Sequence, residues 1–268
     1  MKAGESNRLF NHIMSRYIES KENRIIKDCQ RLTQKKYRDR EKRYLVEGYN
    51  LVDEALKEGV ELDAVILRAG EAERPDFPEN TYVLERGLFD AVAQTETSQG
   101  IMAIVRKREF DAESLRKTDS GRDNYVVLDR LQDPGNIGTI IRTAEGAGYS
   151  GVICLKGTGD VYSPKVIRAA AGSVFRIPIV QVEDGRELRE LVTALNKKLA
   201  VTCLNNDRYY FDEDISEGVA LVIGNEGGGC SPELIKDADI RVMIPMKGKL
   251  ESLNAAVAAG ILMYESMR

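Results

Sequence analysis

Three short segments in the second half of the chain carry polar side chains that folding alone does not demand. The first is Asp129-Arg130-Leu131-Gln132-Asp133-Pro134-Gly135-Asn136, which runs into an apolar helix pattern containing Arg142. Asp-Pro-Gly-Asn is a tight turn, and Asn136 is placed to cap the helix that follows. Arg142 falls between Ile141 and Ala144 in a helix expected to be mostly buried, where a guanidinium needs a carboxylate or an anionic ligand. The second is Gly224-Asn225-Glu226-Gly227-Gly228-Gly229-Cys230-Ser231-Pro232. Such a loop between strand and helix lets backbone amides approach a ligand closely. Its spacing is not GxGxxG, no GxxxxGK[ST] occurs, and the Glu226 carboxylate would repel a pyrophosphate, so a hydroxyl-rich or cationic ligand suits it better. The same spacing argues against a nicotinamide oxidoreductase. The third is Ile244-Pro245-Met246-Lys247-Gly248 with Ser252-Leu253-Asn254, opening a helix rich in Ala and Gly. There Ser252 reads as an ordinary N-cap and Asn254 as a first-turn residue.

The elements that position these segments are short apolar strands alternating with helices. Strands are expected over 125–128, 151–155, 199–203, 219–223 and 240–244. Helices are expected after Pro134, after Pro164, over 187–198, after Pro232 and from Ser252 onward. That order predicts a parallel sheet covered on both faces. Ligands bind such sheets at the carboxyl ends of the strands, where all three segments fall. The first half reads as a smaller α/β unit: one charged helix over 23–42, strands near 43–48, 64–67 and 101–105, a loop over 71–80, and a short helix over 88–93. The resulting division is an extension over 1–20, a small domain over 21–106, a linker over 107–123 and the larger α/β domain over 124–268.

The chain's bulk properties narrow the classes further. Its 268 residues, 43% hydrophobic and 31% charged, suit two globular cores. Neither a membrane-spanning apolar run nor a secretory leader is visible. The four cysteines are scattered, with one histidine for company, which argues against a disulfide framework or a structural zinc site and for a reduced, cytoplasmic setting. Net charge is −4, yet residues 1–50 hold 13 Lys/Arg against 7 Asp/Glu, a balance of +6. A basic segment on an acidic body fits RNA contact, and equally a solvated helix face.

Together the three segments resemble the SpoU/TrmH branch of the SPOUT RNA methyltransferases. Asn136 with Arg142 six residues on matches the first family motif. The glycine loop with its internal Glu226 matches the second, and Ile244-Pro245-Met246-Lys247-Gly248 with Ser252-Leu253-Asn254 the third. The resemblance covers about 125–268. A weaker one over about 22–105, carried by Tyr44-Leu45-Val46-Glu47-Gly48 and Ser98-Gln99-Gly100-Ile101, points to an L30e-like substrate-binding domain. Ser163 to Ser173 also looks familiar and receives no role.

The resemblance implies a C-terminal trefoil knot, a homodimer, and methyl transfer from S-adenosylmethionine to a ribose 2′-hydroxyl, without a metal. It implies a donor pocket formed by Leu204, Gly224, Asn225, Glu226, Gly227, Ile244, Met246, Ser252 and Leu253. Arg142 would act as general base or as a clamp on the neighbouring RNA phosphate. Asn136 and Asn254 would position Arg142 and the ribose, Ser252 would help hold substrate, and Glu226 would order the pocket. Lys35, Lys36, Arg38, Arg40, Lys42 and Arg43, the densest basic run, would bind RNA. The expected substrate is 23S ribosomal RNA, with transfer RNA, or a non-catalytic RNA-binding assembly factor of the same fold, as alternatives.

Overall fold

The computed structural model describes residues 16–116, 123–204 and 208–268. These divide into two units: described residues up to Lys107 with Tyr162–Pro164, and Arg108–Val161 with Lys165–Arg268. Most of the expected extension, residues 1–15, lies outside the described residues.

The first unit is a five-stranded mixed sheet with helices. Its strands are β1 (Arg16–Ile18), β2 (Arg43–Glu47), β3 (Leu62–Arg68), β4 (Thr81–Leu84) and β5 (Ile101–Arg106), in the order β1-β4-β3-β5-β2. The charged stretch expected as one helix is two, α1 (Arg24–Leu32) and α2 (Lys35–Glu41). The Thr33 hydroxyl donates to the Gln30 carbonyl at 2.7 Å at the break. A hydroxyl competing for a helix carbonyl is a local stop that carries no Gly or Pro signature. Ile26, Cys29 and Leu32 bury one face of α1 against Leu45, Ile66, Met102 and Ile104 of the sheet. Helices α3 (Tyr49–Lys57) and α4 (Arg86–Asp90) complete the unit. Strands β1 and β4 were not anticipated.

Helix α5 (Ala112–Arg116) stands in the segment expected as a linker, and its Leu115 is buried in the second unit's core. Residues 117–122 of that segment lie outside the described residues.

The second unit is the parallel sheet expected from the alternation of strands and helices. Strands β6 (Tyr125–Asp129), β7 (Gly151–Leu155), β8 (Ile179–Val182), β9 (Lys198–Thr202), β10 (Val219–Gly224) and β11 (Ile240–Val242) lie in the order β11-β9-β10-β6-β7-β8. Every pairing is parallel. β6 and β7 are buried at every position, as strands covered on both faces must be. Helices α6 (Pro134–Gly146), α7 (Pro164–Ala170), α8 (Gly185–Ala194), α9 (Pro232–Asp237) and α10 (Ala255–Glu265) pack around it. The central neighbours β6 and β10 end together, with Gly224 opposite Asp129. Two of the three polar segments therefore leave the sheet side by side.

Candidate functional site

The first segment leaves β6 through Arg130, which holds a left-handed backbone at φ 58°. Asp133, rather than Asn136, caps α6: its Oδ1 accepts the Asn136 amide at 2.8 Å, with Pro134 in the first turn. Asn136 thus sits one turn inside the helix, 8% exposed, with its side-chain amide released from capping.

The glycine loop folds back on itself after β10. Asn225 and Gly229 exchange backbone hydrogen bonds of 3.0 and 2.9 Å. A Cβ on Gly224 would run into the backbone of Gly229 and Cys230, so this position excludes every other residue. The Asn225 side chain accepts the Gly227 and Gly228 amides at 2.9 and 3.2 Å and donates to the Arg130 carbonyl at 2.8 Å. The amides of 225, 227, 228 and 229, expected to face a ligand, are thus satisfied within the loop itself. Gly228 and Gly229 still leave open space where a side chain would stand.

From the tip of this loop Glu226 reaches across to the first segment. Its Oε1 accepts the Asp133 amide and the Asn136 Nδ2, each at 3.1 Å, and its Oε2 accepts the Gln132 amide at 3.1 Å. Burial pushes the carboxyl pKa up, but these donors outweigh it and leave it below the usual carboxylate range. The amides belong to the residues entering α6, so the carboxylate also faces the positive end of that helix.

The third segment joins through Asn254. Its Nδ2 donates to Asn136 Oδ1 at 2.9 Å, while its Oδ1 accepts the Ala256 and Val257 amides at 2.9 and 3.2 Å. Asn254 is therefore the N-cap of α10, and Ser252, expected in that role, is exposed ahead of the helix. Glu226 can only accept, so it fixes Asn136 with Nδ2 toward it and Oδ1 toward Asn254. That in turn aims the Asn254 oxygen at α10. Three loops are locked into one polar chain.

α10 lies beside α6 and runs the same way: the Asn254–Asn136 bond joins their starts, and the Tyr149 hydroxyl meets Ser266 at 3.2 Å near their ends. Arg142 departs from expectation. α6 buries Ile137, Ile140, Ile141 and Ala144, and Arg142 projects from the opposite side, exposed. Among the described residues it has no hydrogen-bond or ion-pair partner, so its charge is available to something outside the chain.

Sequence reasoning passed over Asp129. It is 1% exposed, and its Oδ2 accepts the Ser231 amide and hydroxyl at 2.6 and 2.7 Å, pinning the far end of the glycine loop to β6. The available signal was a carboxylate closing an otherwise apolar strand.

Of the remaining expected donor-site residues, Leu204 follows β9 and is 60% exposed, while Ile244, Met246 and Leu253 are half-buried between β11 and α10. The surroundings of Gly248 are also open. Apolar side chains, bare glycine backbone and one carboxylate fit a cationic nucleoside such as S-adenosylmethionine and would repel a polyphosphate.

The basic run of the first unit divides. Lys35, Lys36, Arg40 and Lys42 are exposed. Arg38 is 5% exposed and donates to the Leu32 carbonyl at 2.7 Å. Arg43 is held among Asp28, Glu41 and Asp63. The last two arginines are spent inside the fold, because a buried guanidinium must satisfy its donors locally. Among the described residues no cluster of three or more His, Cys, Asp or Glu could hold a metal ion, and no helix is long and apolar enough to cross a membrane.

Comparison with known proteins follows the same division. Residues 123–264 match the SpoU rRNA methylase family, and residues 23–103 match the MRM3-like substrate binding domain. The 23S rRNA (guanosine(2553)-2′-O)-methyltransferase of Bacillus subtilis is 38% identical over 250 residues, covering 92% of this chain and 97% of that protein. An AdoMet-bound rRNA methyltransferase from Sinorhizobium meliloti superposes with a TM-score of 0.83 at 32% identity, covering 94% of this chain and 97% of the other. The SpoU methyltransferase AviRb from Streptomyces viridochromogenes, in complex with AdoMet, gives 0.83 at 28% identity, covering 91% and 97%.

Proposed function

The chain belongs to the SpoU rRNA methylase family, and from that premise we propose that it transfers a methyl group from S-adenosylmethionine to a ribose 2′-hydroxyl of 23S ribosomal RNA. The observation that carries this reading is the Glu226–Asn136–Asn254 chain, which ties all three polar segments together at the carboxyl ends of a parallel sheet.

When bound, S-adenosylmethionine supplies a methyl group on a sulfonium, already a good electrophile. The protein's task is then to orient the hydroxyl and manage its proton. Leu204, Gly224, Asn225, Glu226, Gly227, Ile244, Met246, Ser252 and Leu253 form the donor side. With its loop amides already satisfied, the pocket binds through apolar surface and backbone carbonyls. Asn136 and Asn254 hold fixed amide orientations beside it, and Ser252 is free to meet the ribose. Arg142 is exposed and unpaired among the described residues, as a clamp on the adjoining RNA phosphate should be, and the developing alkoxide would share that positive field. A guanidinium holds its proton tightly and is a poor general base.

The exposed cations Lys35, Lys36, Arg40 and Lys42 supply phosphate contacts in the first unit. Two further features belong to this reading. Between edge strand β11 and Asn254 the chain must cross the ends of β9 and β10 to reach α6, as a trefoil knot requires. On α10, Val257 and Tyr264 are each 52% exposed and share a stripe with Gly260 and Ile261. That apolar stripe, beside Thr143 and Gly146 of α6, is suited to a second copy, giving a homodimer. The enzyme would meet its RNA in the cytoplasm.

The test is methyl transfer from labelled S-adenosylmethionine to total RNA of a strain lacking the protein, with mapping of ribose-methylated positions. One 23S nucleotide is expected. A transfer-RNA position would redirect the substrate assignment, and no transfer to RNA or ribosomal particles despite donor binding would refute the activity. Arg142→Lys with a pH–rate profile separates the two roles of Arg142: a new titrating limb would refute the clamp.

A further inference from the structure

Lys165 and Arg168, in a segment that the sequence singled out without a role, lie three residues apart on α7. They share its exposed face, while Val166, Ile167 and Ala170 are buried beneath. The helix touches α6 backbone to backbone: a Cβ on Gly138 would stand 2.5 Å from the Ala169 Cβ, 2.7 Å from the Val166 carbonyl and 3.0 Å from the Ala170 amide. Arg142 is four residues beyond Gly138, about 40° around and about 6 Å along the same helix. It therefore emerges on the α7 side of α6.

The charges here are unbalanced. Among the described residues neither Lys165, Arg168 nor Arg142 has a carboxylate within ion-pair distance, whereas Arg176, Arg189, Lys197 and Arg268 elsewhere in the unit each hold one. The carboxylates of the neighbouring segments are already engaged: Asp133 and Glu226 hold backbone amides, Glu145 on α6 holds Arg176, and Asp160 ahead of α7 has a partner of its own. Lys247 and Lys249 add positive charge in the loop before α10, where Glu251 partly offsets it, whereas the exposed face of α7 carries no such acid.

From this we infer that Lys165 and Arg168 form a second phosphate-binding site, which grips the RNA backbone next to the nucleotide held at Arg142. The inference rests on the RNA methyltransferase reading and extends it: the catalytic unit itself carries part of the RNA affinity. Side chains three apart on a helix stand about 5–6 Å from one another, close enough to serve neighbouring phosphates of one strand. Such contacts fix register without reading sequence.

The experiment is filter binding of transcribed 23S rRNA across a salt series, beside methyl-transfer kinetics, for wild type, the Lys165→Glu/Arg168→Glu double variant and Lys198→Glu. Lys198 opens β9 at the opposite end of the sheet, near Asp214 and Asp239. The double variant should bind RNA at least about tenfold more weakly, with the slope of log K against log salt lower by about 1.4 to 1.8. Its S-adenosylmethionine affinity and melting temperature should match wild type, and Lys198→Glu should do neither harm. Unchanged RNA affinity and slope would overturn the inference, and so would a fall in donor binding, melting temperature or oligomeric state that accounts for the loss. Because binding is read directly, a wild type that binds RNA yet transfers no methyl group would refute the activity while leaving this site tested.

Discussion

Replacing Glu226 by Gln keeps the shape of the side chain and changes one oxygen to an NH2 group. In the native site one oxygen accepts from the Asp133 amide and Asn136 Nδ2, and the other from the Gln132 amide. A glutamine can place its carbonyl at only one of these positions, so a donor must face a donor at the other. Charge-assisted hydrogen bonds contribute about 1.5–3 kcal/mol. Glu226 is solvent-exposed at the loop tip, which brings the expected loss to about 1–2 kcal/mol. For a chain of this size that is a drop in Tm of about 2–6 °C. The turnover effect should be larger than the stability effect. With the carboxylate gone, Asn136 is no longer held with its oxygen toward Asn254, and each 1.4 kcal/mol of misorientation costs about tenfold in rate. The two readouts are differential scanning calorimetry and single-turnover methyl transfer. The pH dependence supplies a sign check. The folded carboxyl is held below its unfolded range, so its contribution is present above about pH 4.5 and fades as pH falls through the lowered folded value. The difference in Tm between wild type and variant should therefore be full at pH 7 and shrink under acid. A Glu226→Gln protein that melts with wild type at pH 7 and turns over normally would refute the polar chain as the organiser of the site.

Three other substitutions probe the scaffold. Gly138→Ala should cost about 1–3 kcal/mol, read as a lower urea midpoint, because its methyl group meets the α7 backbone; an unchanged midpoint would disprove the close helix approach. Ala171→Gly, at φ 48° on the surface after α7, should stabilise by up to about 1 kcal/mol in the same assay. Asn124→Ala should cost about 2–3 kcal/mol, since this fully buried amide donates to the Ser216 carbonyl at 2.9 Å and accepts the Val219 amide at 3.0 Å. Retained stability there would mean that water replaces both bonds.

The alternation of apolar strands and helices was enough to predict the parallel sheet, and the three polar segments do converge. What sequence reading missed has physical reasons. β8 is four residues long and follows Pro178, and β4 is four residues long after a proline-containing loop; neither offers a periodic run. Asp133 and Asn136 are both good capping residues, and only the backbone path decides that the aspartate caps while the asparagine turns inward. Ser252 and Asn254 pose the same ambiguity with the opposite geometry. Arg142 was expected inside because its neighbours are apolar, but Ile141 and Ala144 lie on the buried stripe and position 142 falls outside it. The basic run showed its charge but not its accounting, because Arg38 and Arg43 find partners that are distant in sequence or supplied by backbone.

The hydrogen bonds that close the site join residues 90 to 118 positions apart: Glu226 to Asn136, and Asn254 to Asn136. Contacts of such long range carry the greatest loop-closure cost and cannot form until β10 and α10 have docked on a sheet already begun by β6 and β7. The site is thus among the last parts of the unit to assemble. Two of its three members, Glu226 and Asn254, are exposed at loop ends, so it is also among the first to open on local fluctuation, while the strand amides of β6 and β7 stay protected. Hydrogen exchange should find the amides of Gln132, Asp133 and Ala256 exchanging ahead of the sheet, and slowing when the methyl donor binds. Donor occupancy and completion of the fold would then be one equilibrium.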